Sequence, residues 1–119
     1  DAGPWEAAVR EAQEEIGLAP EYVSLAGYLH DHLVITGYII TPAVAFVRPG
    51  FELKLDTTEV EDAFEVPLEF VLDPINHVAS TRVFAGQAFT THDIPYGERH
   101  IWGATAGMLL SLYQMLQEV

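Results

Sequence analysis

The sequence contains no cysteine, and only five of its 119 residues are lysine or arginine, against 18 aspartates and glutamates. The absence of cysteine excludes a disulfide scaffold, a thiolate zinc site and a cysteine nucleophile. The formal net charge of −13 argues against a surface that binds nucleic-acid phosphates and against docking on an anionic membrane. A protein this acidic that acts on a phosphate compound needs a cation between itself and its substrate.

Long hydrophobic runs are also absent. The longest run, residues 34–47, is interrupted by Thr36, Gly37, Thr41 and Pro42 and falls short of the roughly 20 apolar residues that span a membrane. No basic start followed by an apolar stretch indicates a signal peptide. Because half of the residues are hydrophobic, the chain can bury a core, and we expect a cytoplasmic protein.

Hydrophobic periodicity and turn residues predict a chain in which helices and strands are mixed. The predicted elements are a helix at 5–17, strands at 22–29, 38–47 and 63–66, a short helix at 67–72, strands at 81–84 and 88–91, a turn at 95–97 and a long helix at 101–117. Residues 52–62 are acidic and polar and predict a mobile loop. A sheet covered by helices on both sides is the simplest arrangement of these elements.

Three glutamates lie close together in the first predicted helix. Glu11, Glu14 and Glu15 are spaced i, i+3 and i+4, so their side chains share one side of the helix. Like charges at these spacings oppose helix formation by roughly 0.2–0.5 kcal/mol per pair, and Arg10 at i−4 from Glu14 offsets only part of that cost. Grouped carboxylates suit a hard divalent cation. The alternative is an ordinary solvated acidic face.

The residues around these glutamates read Arg10-Glu11-Ala12-Gln13-Glu14-Glu15-Ile16-Gly17-Leu18. This string resembles the second half of the Nudix box, which ends Arg-Glu-apolar-x-Glu-Glu-x-Gly-apolar, and every specified position is matched. The resemblance implies an α/β fold, a Nudix-type α/β/α sandwich with a mixed sheet. The first half of the box would lie upstream of Asp1. We therefore expect residues 1–119 to be a single Nudix hydrolase domain that is N-terminally incomplete and lacks the first strands of its sheet.

Further positions resemble the coenzyme A pyrophosphatase branch of that family. In this branch an Asp, here matched by Asp1, replaces the usual box Glu upstream of the Arg-Glu pair, and one extra residue follows it. Three other segments are similar to those of the branch, namely Ile40-Thr41-Pro42, Glu59-Val60 with Val66-Pro67-Leu68, and Ile101-Trp102-Gly103-Ala104-Thr105-Ala106. The motif that diagnoses the branch lies upstream of the box and is not present in these residues.

The resemblance implies a metal-dependent hydrolase of a nucleoside diphosphate linked to another group. Mg²⁺ or Mn²⁺ is the expected cofactor, with Glu11 and Glu15 as the first choice of ligands. Glu14 is a further ligand or a base acting on water. Arg10 is expected to orient the glutamates rather than to touch the substrate.

Glu59 lies in the predicted acidic loop, at a position where the family often supplies another carboxylate. A general base on such a loop can close over a bound substrate. The neighbouring Glu61 and Asp62 could do the same, and ordinary loop solvation is the other interpretation.

Coenzyme A or an acyl derivative is the substrate that the resemblance favours, with 3′,5′-ADP and a 4′-phosphopantetheine species as products. ADP-ribose, NADH and dinucleoside polyphosphates stay open as alternatives. A different class of function is a nucleotide-binding module that keeps the fold without turnover. The expected partner is a small-molecule nucleotide, without nucleic acid or membrane, and the resemblance makes a homodimer an expectation.

Several aromatic side chains have two interpretations. Tyr28, Tyr38 and Phe46 lie in predicted strands and Trp102 opens the last predicted helix, so the core is their expected place. Stacking on a nucleobase is the alternative.

The remaining candidates are histidines and arginines. His30 and His32 share a strand face, but no third ligand lies nearby to complete a zinc set, so we expect turn or surface positions. Arg82 and Arg99 could meet a substrate phosphate, although the surface is their expected place.

Overall fold

The computed structural model describes residues 3–34 and 36–118, in which helices and antiparallel strands are mixed. The described residues form two compact units, one of residues 3–29 and 41–65 and one of residues 30–34, 36–40 and 66–118. Asp1 lies outside the described residues. No helix among those described is long and apolar enough to cross a membrane.

The first unit begins with helix α1 (Pro4–Ile16), which confirms the predicted helix. Pro4 occupies the first turn, where its missing N–H leaves no helical hydrogen bond unmade. Gly17 ends the helix in the left-handed conformation, with φ 73°, and its N–H donates to the carbonyl oxygen of Gln13 over 3.0 Å. Each end of the helix therefore has a residue whose backbone suits that position.

Two strands complete the regular structure of the first unit. A 3₁₀ turn, Pro20–Tyr22, leads from α1 into β1 (Val23–Tyr28), which pairs antiparallel with β4 (Ala43–Val47). The register shifts between Leu25 and Gly27, so β1 carries a bulge. This pair confirms two of the predicted strand regions.

Two strand predictions need correction. The predicted strand at 38–47 is divided into β3 (Ile39–Ile40) and β4, because Pro42 has no N–H to donate to a ladder. The predicted strand at 63–66 does not form. The N–H of Ala63 donates to the Asp62 carboxylate over 2.9 Å, a local side-chain bond that competes with strand pairing.

The second unit is built on a three-stranded sheet of order β5–β6–β7, made of β5 (Val78–Phe84), β6 (Gln87–Tyr96) and β7 (Arg99–Trp102). Both pairings are antiparallel, because two-residue turns join consecutive strands. In the same unit β2 (His32–Leu33) pairs with β3. A short helix, α2 (Leu68–Val71), precedes the sheet and confirms the predicted one.

The second hairpin differs from its prediction. The turn expected at 95–97 lies at 97–98, and Pro95 is part of β6. The last residue pair between β5 and β6 is Val78–Asp93, so beyond Asp93 strand β6 pairs, among the described residues, with β7 alone. A proline is tolerated there because no ladder on the other side needs its N–H.

The core of the second unit lies where α3 (Gly103–Gln117) packs against β6 and β7. Ile94 and Ala106 are fully buried, Val71 is 5% exposed, and Phe70 and Leu109 pack against them. The expectation that Trp102 opens the last helix and lies in the core is wrong. Trp102 belongs to β7 instead and is 73% exposed.

The expectation that strand aromatics fill a core is also wrong. Tyr28, Tyr38 and Phe46 are 43%, 75% and 71% exposed. The α/β class is confirmed, since both units combine helices with strands. Every strand pair among residues 3–34 and 36–118 is antiparallel, whereas a mixed sheet was expected, because the paired strands follow reversals of the chain.

Candidate active site

Helix α1 carries the three glutamates on its exposed side. The side chains of Glu11 and Glu14 are 58% and 65% exposed, and Glu15 is half-buried. Arg10 lies between two of them, with its guanidinium 3.7 Å from Glu11 Oε1 and 3.9 Å from Glu14 Oε1. Exposed pairs at these distances contribute at most about 1 kcal/mol. Arg10 therefore reduces the repulsion between the two carboxylates without fixing their side-chain conformations.

The chemistry of this donor set fits an oxygen-ligated divalent cation. Three carboxylates occupy two adjacent helical turns, and their exposure leaves the side chains free to rotate. In the arrangement described, no three His, Asp or Glu side chains of residues 3–34 and 36–118 converge on one point. Ligation would therefore require rotation of these exposed side chains.

The acidic loop is attached by its backbone to the end of α1. The N–H of Lys54 donates to the carbonyl oxygen of Ile16, and the N–H of Asp56 donates to that of Glu15, both over 2.8 Å. These bonds satisfy carbonyl groups that a helix C-terminus leaves without an intrahelical donor. The loop and the glutamate helix are therefore one local structure.

The loop then folds into a turn around Asp56. The carbonyl oxygen of Asp56 accepts hydrogen bonds from the N–H groups of Glu59 and Val60, over 3.0 and 2.8 Å. Its carboxylate accepts two more from Thr58, from the hydroxyl over 2.7 Å and from the N–H over 3.1 Å. The hydroxyl bond first, and the backbone bond second, lower the pKa of Asp56. The predicted loop thus contains an ordered turn, and Glu59 is an exposed member of it.

Gly17 is required where the helix meets this loop. Its φ of 73° is a conformation that side chains with a Cβ rarely adopt. A Cβ at this position would lie 2.9 Å from Lys54 Cβ and 3.0 Å from Lys54 N. Two structural features therefore require glycine at this position of the motif, namely the left-handed backbone conformation and the close approach of the loop.

Other sequence candidates lie in the second unit. His30 precedes β2 and is exposed, while the His32 ring packs on Gly107 of α3, with Cε1 2.7 Å from the position of a Cβ there. Among the residues described, neither histidine belongs to a metal cluster. The expected turn or surface position holds for His30 only, because His32 is a half-buried residue of β2 that packs on α3.

The second unit also contains a cavity of about 930 Å³ that the sequence did not indicate. Arg82 and Trp102 line it. His92, Asp93 and His100 line it as well, and no sequence motif marked these three residues as candidates. The Asp93 and His100 side chains are joined by a 2.9 Å hydrogen bond. Correct placement of the turn at 97–98 would have brought these two residues to neighbouring positions on β6 and β7.

The comparison with known families decides the classification. The family model of the NUDIX domain matches residues 1–85, a range that contains α1, its glutamates and the acidic loop. The chain belongs to the Nudix family. Its helices and antiparallel strands accordingly represent an α/β Nudix fold.

Curated relatives agree with this membership. The chain is 33% identical over 110 residues to the "Uncharacterized Nudix hydrolase NudL" of Photorhabdus laumondii, covering 92% of this chain and 59% of that protein. It is 31% identical over 112 residues to NudL of Escherichia coli K12, covering 94% and 58%. It is also 33% identical over 89 residues to the "Peroxisomal coenzyme A diphosphatase NUDT7" of Mus musculus, covering 75% and 38%. The chain thus spans between about two fifths and three fifths of the length of these relatives.

Proposed function

We propose that the protein is a Nudix pyrophosphohydrolase, with residues 1–119 as part of one Nudix domain. The observation that carries the proposal is the attachment of the acidic loop to the glutamate helix through Asp56 and Glu15. It puts the loop that bears Glu59 at the end of the helix that bears Glu11, Glu14 and Glu15. Membership in a family of hydrolases supports the reaction class.

The reaction adds water across one P–O–P bond and releases two phosphate esters. Glu11, Glu14 and Glu15 would hold Mg²⁺ or Mn²⁺, which when bound neutralises phosphate charge and lowers the pKa of water. Arg10 pairs with Glu11 and Glu14 and orients them. Glu59 takes the proton of the attacking water as general base.

Coenzyme A or an acyl-coenzyme A is the proposed substrate, with cleavage to 3′,5′-ADP and a 4′-phosphopantetheine derivative. One relative, the mouse protein, is named a coenzyme A diphosphatase, and the segment similarities of the sequence favour the same branch. The cytoplasmic location and a homodimer stay predictions.

The proposal is tested with the intact protein and four substrates. Coenzyme A, ADP-ribose, NADH and diadenosine tetraphosphate are each incubated with Mg²⁺ or Mn²⁺, and the products are separated by chromatography. Release of 3′,5′-ADP from coenzyme A well ahead of turnover of the others is the expected result. Preference for another compound would discard the substrate but keep the reaction class.

Variants separate catalysis from mere binding. Glu11→Gln removes a proposed ligand, whereas Glu6→Gln changes an exposed glutamate in the first turn of the same helix. We expect Glu11→Gln to abolish turnover and Glu6→Gln to retain it. Cleavage of none of the four compounds by a protein that binds metal would favour the nucleotide-binding module.

A further inference from the structure

Strand β5 forms an exposed edge of the three-stranded sheet. Among the described residues it pairs with β6 alone, and all seven of its residues are exposed. Val83 is 74% exposed and Phe84 is 49% exposed. The N–H and C=O groups that such an edge turns outward can pair with a further strand. Strand β5 therefore offers both backbone groups and apolar side chains to a partner.

Two other edges of the described strands have features that discourage pairing, whereas β5 has few. At the opposite edge of the same sheet, β7 is four residues long and includes Arg99 and His100. In the first unit, the register of β1 shifts at a bulge. Strand β5 is seven residues long, pairs with β6 without a register shift, contains no proline and has Arg82 as its single charged residue. Because short length, charge, bulges and proline are what protects exposed edges, β5 is the edge best suited to pairing.

The turn between β5 and β6 determines which backbone groups of β5 point outward. Ala85 and Gly86 have φ values of 52° and 77°, as a two-residue type I′ hairpin turn requires. Phe84 and Gln87 close this turn, so the N–H of Gln87 donates to the carbonyl oxygen of Phe84. The direction of these groups alternates from residue to residue in an antiparallel ladder. The outward-pointing groups are those of Ala79, Thr81 and Val83.

The sequence of β5 is complementary to itself in an antiparallel pairing centred on Thr81. In this register the outward-pointing groups of two copies face each other, which gives about six backbone hydrogen bonds. Val78 lies opposite Phe84, and Ala79 lies opposite Val83, so apolar residues meet at both ends. The two central threonines lie opposite each other, a cross-strand pair that is itself favourable. The whole strand therefore takes part in the pairing.

Charge favours the same register and the same surface. Arg82 lies opposite Ser80 in this pairing, whereas a pairing centred on Arg82 would place two guanidinium groups directly opposite each other. The chain has a net charge of −13, so two copies repel each other where their acidic surfaces meet. Residues 74–92 contain no aspartate or glutamate, and β5 lies within that segment. Two copies can therefore meet along β5 without bringing carboxylates of this segment together.

We propose that β5 pairs antiparallel with β5 of a second copy of this chain, which joins two three-stranded sheets into one. The contact is two-fold symmetric, because the same residues of both copies form it. It gives the predicted homodimer a defined interface. It is also independent of the proposed hydrolysis, since Glu11, Glu14 and Glu15 lie in the first unit and β5 lies in the second.

Cross-linking tests the contact and its register together. Residues 1–119 contain no cysteine, so Thr81→Cys introduces a single thiol into them, on the two-fold axis. The Cα atoms of a hydrogen-bonded pair are about 5.5 Å apart, a distance that a disulfide can span. Val83→Cys is the matched control, because its two copies would lie four residues apart, or roughly 14 Å. Mild oxidation of the intact protein should give a covalent dimer with Thr81→Cys and none with Val83→Cys.

Sedimentation equilibrium measures the association itself. The mass of the intact protein should rise from that of one copy to that of two as its concentration increases. Thr81→Pro removes an N–H that points away from β6, where proline is tolerated, and should raise the dimer Kd at least tenfold. Thr81→Lys places two ammonium groups opposite each other and should raise the Kd severalfold. Thr57→Lys makes the same change of charge at an exposed threonine of the first unit and should leave the Kd unchanged.

Ser80→Glu should strengthen the dimer, which makes it a test of the register. Its carboxylate would lie opposite Arg82 of the second copy, twice in each dimer, and should lower the Kd by roughly 2- to 30-fold. The gain should disappear when Arg82→Gln is added. Ser24→Glu adds the same charge at an exposed serine of the first unit and should give no gain. Weaker association of Ser80→Glu than of Ser24→Glu would exclude the register centred on Thr81.

Three results would overturn the pairing. One is a mass of one copy at every concentration, including the case in which the thiol of Thr81→Cys is shielded because another segment of the intact protein covers β5. The second is a dimer whose Kd is unchanged by Thr81→Pro and Thr81→Lys, and the third is equal cross-linking of Thr81→Cys and Val83→Cys. Turnover by a protein that stays monomeric would leave the hydrolase standing. A dimer paired through β5 that cleaves no substrate would leave the pairing standing.

Discussion

The backbone N–H of Asp56 donates a 2.8 Å hydrogen bond to the carbonyl oxygen of Glu15. Glu15 is the penultimate residue of α1, and Asp56 begins the turn that contains Glu59. Together with the hydrogen bond from the Lys54 N–H to the Ile16 carbonyl oxygen, this contact couples the helix of proposed metal ligands to the loop of the proposed base. Loss of this coupling should affect catalysis more than it affects the regular secondary structure.

Gly17→Ala should destabilise the protein through two effects. The left-handed backbone costs an alanine about 1–2 kcal/mol, and its Cβ would meet Lys54 at 2.9 Å. Gly86→Ala is a matched control, because Gly86 has φ 77° but nothing within 4 Å of a Cβ. Chemical denaturation should therefore show a larger loss of unfolding free energy for Gly17→Ala. Equal losses would show that the approach of Lys54 has no energetic consequence.

Divalent cation should stabilise the native protein through the glutamates of α1. Ligand at about 100 times its Kd adds roughly 2.7 kcal/mol to the free energy of unfolding, so Mg²⁺ or Mn²⁺ should raise the Tm. Glu11→Gln and Glu15→Gln should reduce this shift, and Glu6→Gln should not. The comparison is made by calorimetric melting with and without metal. An undiminished shift in both ligand variants would exclude the proposed site.

Glu59→Gln should slow turnover while the protein still binds metal. Loss of a general base typically lowers kcat by about 10²–10⁴-fold, and the amide preserves the size of the side chain. Glu52→Gln, in an exposed position of the same acidic region, should leave kcat near wild type. If Glu61→Gln or Asp62→Asn shows the large loss instead, the base is that neighbour.

The turn at Asp56 should weaken in acid. Hydrogen bonds from Thr58 lower the pKa of this carboxyl below its ordinary value of 3.8, so the ionised form is favoured by folding. The resulting stabilisation is present above pH 3.8 and is lost as the pH falls through the lowered pKa. Thr58→Val removes the hydroxyl donor and should raise the pKa of Asp56 toward 3.8.

An NMR titration of the Asp56 carboxyl checks this shift. Thr57→Val is the control, because Thr57 is an exposed neighbour of the same chemical type. An unchanged titration in Thr58→Val would show that the hydroxyl bond does not set the pKa in solution.

Local chemistry explains why α1 could be predicted with both of its ends. Pro4 pre-forms the first turn, Gly17 permits the left-handed stop, and the spacing of Glu11, Glu14 and Glu15 is a property of any helix. The family resemblance depended on the same contiguous residues, and the match to the Nudix model confirms it. The residues that determine such features lie within a few helical turns of one another in the sequence.

Longer-range features were predicted poorly. The strand at 63–66 satisfied β propensity but found no ladder partner, and Trp102 had the periodicity of a helix but lies exposed on a strand. Propensity describes what a segment favours alone, while pairing and burial depend on distant segments. The hairpin register that aligns Asp93 with Trp102 depends on turn placement at 97–98.

The sequence alone therefore determined the glutamate motif, the helix that presents it and the family to which the chain belongs. Only the tertiary structure decided that Lys54 and Asp56 bind the end of that helix, and that Arg82 and Trp102 line one cavity. The physical reason is distance along the chain. Helical spacing fixes neighbours three and four residues apart. The contact between residues 15 and 56, and the cavity that residues 82 and 102 share, exist only after the chain has folded.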